Sequence, residues 1–166
     1  MRIKTTAAFW ISFLIILFGP IFIPKLHLFY FAPYLIICLY TQTRISVLWK
    51  AYLCGLILDL LSSSSFFGFS SLNYCLVCWV LYGQKRHFFE DHLSTLPVMT
   101  FLFSFLSTLV SCCLFFYCEQ SFPFSWSWIA TDLFLMPLLD SAYALLVFSL
   151  PFQIIYKIRR MRLRKT

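Results

Sequence analysis

Residues 44–86 read RISVLWKAYLCGLILDLLSSSSFFGFSSLNYCLVCWVLYGQKR, two apolar runs held between basic ends. Arg44 opens the first run, and Lys85 with Arg86 closes the second. Between them stand Ser62, Ser63, Ser64, Ser65 and Gly68, the small polar residues and glycine that mark a turn. No formal charge falls between Leu60 and Gln84. A helix needs about 20 apolar residues to cross a bilayer. The stretch is therefore read as a helical hairpin in a membrane, with both basic ends on one side and a small uncharged loop on the other.

The same pattern continues outward. Thr5–Pro24, Leu26–Thr43 and Leu93–Cys118 are equally free of formal charge. Of the 166 residues, 61% are hydrophobic and 11% charged, against roughly 25% charged in soluble chains. A small soluble domain leaves too much of its surface in water to hide that apolar excess. The expectation is an all-α integral membrane protein with six transmembrane helices in a compact bundle. It comprises a single polytopic domain, 1–166, with no soluble domain. The spans are placed at 7–24, 27–43, 45–61, 66–84, 95–117 and 128–150, followed by a basic tail, 151–166. Pro33 falls inside the second span as an interruption. Arg2 and Lys4 before an apolar run resemble the start of a signal peptide, but Gly19-Pro20 and Ile23-Pro24 replace a small-x-small cleavage site. The run is read as an uncleaved first span.

Charge sets the orientation. With the N-terminus inside, the inner segments hold Arg2, Lys4, Arg44, Lys85, Arg86, Lys157, Arg159, Arg160, Arg162, Arg164 and Lys165. Only Lys25 falls outside, and Lys50 lies one turn into the third span, where it can snorkel back. The excess of Lys and Arg on one side is the positive-inside pattern. Both termini are expected in the cytoplasm, with the chain multi-pass in a bacterial inner membrane. Arg44, Lys85, Arg86, Arg159 and Arg160 act as topology anchors. Trp126 and Trp128 of the outer loop 119–127 and its edge suit an interfacial aromatic belt. The net charge of +7 calls for no nucleic acid. The basic tail can touch anionic membrane lipid or dock a cytoplasmic partner.

Polar residues at membrane depth carry the site candidates. Asp59 lies about 20 Å from the inner end of its span, at about 1.5 Å per residue. Gly55 is four residues earlier, on the same helical face, where a small residue admits a neighbouring helix and its hydrogen-bond partners. Asp140 falls near the middle of the sixth span, where a charge costs about 2.5–3.5 kcal/mol on insertion scales. Pro137 just before it frees backbone carbonyls. Asp132 is nearer the outer end. Two readings stand for Asp59 and Asp140: an interhelical hydrogen bond that fixes packing or partner binding, or a ligand or proton site between helices. The seven cysteines are read as small packing residues, Cys75 and Cys78 included, with a disulfide among Cys112, Cys113 and Cys118 left open. His87, Glu90, Asp91 and His92 are read as a solvated turn. The expectation is no catalytic residue, no metal and no cofactor, hence no enzyme.

The hairpin also carries a resemblance. Arg44-Ile-Ser-Val, then Gly55-Leu-Ile-Leu-Asp59-Leu-Leu-Ser62, then Gly68 and Ser71-Leu72 resemble the rod shape-determining protein MreD family. Phe31-Ala-Pro33 at the second span also looks like the family's pattern. Four serines replace the family's usual Ser-Gly-Ser-Pro turn, and the interval from Asp59 to Gly68 is one residue longer. The resemblance implies helix packing or partner binding at Gly55, Asp59, Ser62 and Gly68. Asp140 is added from the reading of the residues alone. It further implies a non-catalytic membrane subunit of the bacterial elongation complex, the elongasome. Such a subunit pairs with an MreC-like protein and links MreB filaments to lateral peptidoglycan synthesis and cell shape. RodA and a class B penicillin-binding protein would be further partners.

The competing expectation is the substrate-binding subunit of an energy-coupling-factor vitamin transporter, also small, hydrophobic and six-span. The MreD fold is similar to it. There, Asp59 and Ser62–Ser65 would face an outer ligand pocket.

Overall fold

A computed structural model of the chain describes residues 5–22, 29–61, 67–84, 95–119, 129–149 and 151. All regular structure among them is helical. The helices are α1 (Thr5–Phe22), α2 (Ala32–Thr41), α3 (Arg44–Leu61), α4 (Phe69–Gln84) and α5 (Thr95–Glu119). A sixth, α6 (Met136–Ala144), continues from a π-helical turn, Ile129–Leu135, and runs into another, Leu145–Ser149. Pro137 explains the first of these turns. It offers no N–H to the carbonyl of Leu133, and its ring crowds that carbonyl, so the α-helical ladder cannot run through unchanged.

Two helices, Thr95–Tyr117 and Thr131–Ser149, are long and apolar enough to cross a membrane. Only 28% and 22% of their most apolar windows is buried inside the molecule, so these are not the enclosed core helices of a soluble domain. Large apolar side chains are exposed along most of the helices: Trp10 and Phe18 on α1, Trp49 on α3, Trp79 on α4, Phe116 on α5 and Leu146 just beyond α6. Exposure of this many large apolar side chains is compatible with lipid surroundings.

The second span of the sequence reading takes an unexpected form. Its described part is a 10-residue helix, about 15 Å long against a hydrocarbon core of about 30 Å. Pro33 does not interrupt it. The proline sits in its first turn, where a missing N–H leaves no ladder bond unmade. Every residue from Ala32 to Leu39 is buried, because α2 packs against α1, α3, α4 and α5 at once. A helix apolar all round is one enclosed by its neighbours, and α2 is the centre of the bundle. Around its entrance Phe29 meets Tyr74 of α4 and Phe103 of α5, with ring centroids 6.2 and 6.5 Å apart. Phe9 of α1 lies 5.3 Å from Tyr34, and Tyr143 of α6 lies 6.3 Å from Tyr30.

The most extensive packing joins α3 to α4. Gly55 is the reason. A Cβ there would fall 2.2 Å from the Ser71 Cα and 2.5 Å from the Ser71 N. The two backbones touch at that point, and only glycine leaves the space.

Candidate functional site

The α3–α4 contact places Asp59 one helical turn beyond Gly55, with 5% of its surface exposed. Its carboxylate faces the first turn of α4. The Gly68 N–H donates to Oδ2 at 3.0 Å, the Ser70 N–H to Oδ1 at 3.1 Å and the Ser71 N–H to Oδ2 at 3.4 Å. These are groups that a helix start leaves without intrahelical partners. A residue of the preceding helix thus does what an N-cap side chain ordinarily does, and its negative charge sits at the positive end of the α4 dipole. Gly68 turns the chain into α4 with φ +93°, a left-handed conformation that glycine adopts without steric cost. The Ser71 hydroxyl then donates back to the Gly68 carbonyl at 2.8 Å. Gly55, Asp59 and Gly68 form one device: close approach, clamp and turn.

Asp140 holds the turn that leads into α2. It is fully buried. The Phe29 N–H donates to its Oδ1 at 3.0 Å, across 111 residues of chain, and the Ser104 hydroxyl of α5 donates to its Oδ2. The Phe29 carbonyl accepts the Ala32 N–H at 2.9 Å, closing the turn that begins α2. The residue before α2, Phe31, provides no side-chain cap, and the carboxylate on α6 holds the chain two residues ahead of it. A buried charge costs least when its lone pairs are taken up this way.

A third polar contact joins α4 to α5. The Asn73 side-chain amide donates to the Ser107 and Ser111 hydroxyls at 2.8 and 2.9 Å. Asn73, Ser104, Ser107 and Ser111 do not figure among the residues singled out from the sequence. The signal was available: Ser104, Ser107 and Ser111 recur at three and four residues, one stripe of a helix. An Asn in an apolar run is a natural partner for interhelical hydrogen bonds.

The remaining candidates are dispersed. Arg44 starts α3, and its guanidinium lies over the rings of Trp79 and Tyr82, 5.5 and 6.0 Å from their centroids. Asp132 is half-buried in the π-helical turn before α6. Cys38, Cys54, Cys75, Cys78, Cys112 and Cys113 are free thiols, and Cys75 reaches only the Leu48 carbonyl at 3.7 Å. Among the described residues no cluster of three or more His, Cys, Asp or Glu is placed to hold a metal. Ser62, Lys85, Arg86, His87, His92, Arg159 and Arg160 lie outside the described residues.

The two clamps and the Asn73 bridge consist of helix-to-helix bonds, chemistry that sets packing and register. Comparison of the chain with protein-family models, with curated proteins and with solved structures gave no match.

Proposed function

We propose that the chain is a six-span membrane subunit of a bacterial wall-elongation complex, working as a helical scaffold for partners and not as a catalyst. The observation that carries the reading is the Gly55–Asp59–Gly68 device. The residues on which the resemblance to the MreD family rests are the residues that share one structural task, closing the α3–α4 hairpin. A pattern of glycines and an acid that a family would keep needs such a task. Partners meet this chain through its helices, short loops or tail, with an MreC-like single-span protein as the first of them. The vitamin-carrier alternative draws less from the geometry, because the Asp59 carboxylate is turned onto the α4 backbone and not toward a ligand space.

In this reading both termini are cytoplasmic, and the apolar faces of α1 and α3–α6 meet lipid. Central α2 needs no span of its own length, since protein encloses it, and non-helical backbone at its entrance is tolerated where protein satisfies it. The Phe29–Asp140 bond does that.

The test is co-purification from detergent with an MreC-like protein of the same cell. The expected result is a stable complex that Asp59→Ala weakens at least about tenfold, with loss of rod shape in cells carrying the variant. Recovery of the chain with a bound vitamin and no such partner would sink the proposal.

A further inference from the structure

We propose that one water molecule is bound between α1 and α6, shared by the Ser12 and Tyr143 hydroxyls. Ser12 stands on the inward face of α1, one turn after Ala8 and one turn before Ile16, and all three are buried. Tyr143 follows Asp140 one turn along α6 and lies on the same side of that helix. Its ring is held edge to face by Tyr30 and Phe148, with centroids 6.3 and 6.1 Å away. That packing sets the direction of the hydroxyl, which comes within reach of Ser12. Both hydroxyl oxygens are closed off from the surface, and neither makes a hydrogen bond with any partner among the described residues.

A buried hydroxyl without a partner is costly, and here two meet at one place. A hydroxyl both donates and accepts, so the group that satisfies the pair must do both. It must be small, because the inward face of α1 is packed into the core from Ala8 to Ile16. It must also be neutral. The charged group within reach is Asp140, whose two oxygens already accept from the Phe29 N–H and the Ser104 hydroxyl. A cation there would be repelled by the Phe29 N–H. Water meets all three conditions, and buried water is found on polar groups of this kind, with about two to four partners. The site has a consequence for the bundle. The helix α1 packs chiefly on α2, and a shared water gives it a second attachment, to the helix that carries Asp140.

The proposal stands on packing alone and holds whatever partners the chain has. The experiment is structure determination of the full chain in detergent, at a resolution that shows ordered water, for the wild type and for the double variant Ser12→Ala, Tyr143→Phe. A single isolated density peak is expected within about 3 Å of both oxygens, and it should vanish in the double variant. A direct bond between the two hydroxyls, the absence of density beside them, or density larger than one oxygen atom overturns the proposal. Unfolding equilibria of the detergent-solubilised protein give a second reading. Ser12→Ala and Tyr143→Phe should each lower the ratio of folded to unfolded protein about fivefold, because either change leaves the other hydroxyl and the water short of a partner. The double variant should fall no further than the worse single one, since nothing is then left unsatisfied. Effects that simply multiply, or two single variants as stable as the wild type, count against a shared water.

Discussion

Asp59 accepts three backbone N–H groups from the start of α4, and its removal leaves them without that partner, Ser71 buried and Gly68 and Ser70 half-buried. Each unsatisfied buried donor costs about 1–3 kcal/mol, partly relieved where the turn relaxes. Asp59→Ala is expected to lower stability by about 2 kcal/mol in thermal unfolding of the detergent-solubilised protein. Asp59→Asn should recover only part of it, since its single amide oxygen can take up the N–H groups on one side while its NH2 would face the donor on the other. If Asn proved as good as Asp, acceptance by one oxygen would be enough and the second carboxylate oxygen would not be a working part. Gly55→Ala tests the same device from the other side. Its Cβ meets the Ser71 backbone at 2.2 Å, and backbone cannot swing aside as a side chain can, so α3 and α4 must separate. A loss of about 1–3 kcal/mol is expected, with weakening of the Asp59 bonds that shows as faster amide exchange at Ser70 and Ser71. The four-residue spacing of Gly55 and Asp59 can be read in the sequence as a shared face. That their target is backbone, and that it belongs to residues 68–71, cannot.

At the level of elements, α5 is the organising strut. Its serines reach α6 through Ser104 and Asp140, and α4 through Ser107, Ser111 and Asn73. In lipid, helices gain little from withdrawing apolar surface, because the surroundings are equally apolar, and packing with hydrogen bonds decides which faces meet. Asn73→Ala should therefore weaken the α4–α5 contact by about 0.6 kcal/mol, and by up to about 1.7 kcal/mol at the strong end for such bonds. The measurement is a double-mutant cycle with Ser107→Ala on unfolding free energy. A coupling of zero would mean that packing alone holds the pair. The helix α2 shows the opposite balance. Its sequence reads as a span, and in the structure it is the enclosed helix of the set, buried from Ala32 to Leu39 and preceded by a turn that Asp140 holds. No local feature of Phe29–Pro33 announces a partner 111 residues away.

For the whole molecule, the orientation expected from the placement of Lys and Arg is open to direct measurement. Reporter fusions after residues 64 and 123 are expected to be active only with an enzyme that works outside the membrane. A fusion after residue 88 should be active only with one that works in the cytoplasm. An outward signal at 88 would remove the inside placement of Lys85 and Arg86 and with it the six-span arrangement. The positions of the helices were legible in the sequence to within a few residues for α1 and α3–α5, because long uncharged runs bounded by turn residues leave few alternatives. The π-helical turns beside α6 were not. Pro137 marks a break in the ladder, but how the chain closes it depends on the neighbours packed there.

The sequence by itself determined that the chain is helical and that its apolar surface far exceeds what a soluble fold of this length can hide. It also determined where the basic residues stand along the chain, most of them at the ends of the long apolar runs and in the tail. Those properties depend on composition and local order along the chain. Only the tertiary structure decided that α2 is the enclosed centre, that Asp59 clamps the start of α4 and that Asp140 clamps the entrance to α2. Each depends on which backbone groups are left without partners once the helices meet, and that is settled by packing between segments far apart in the chain.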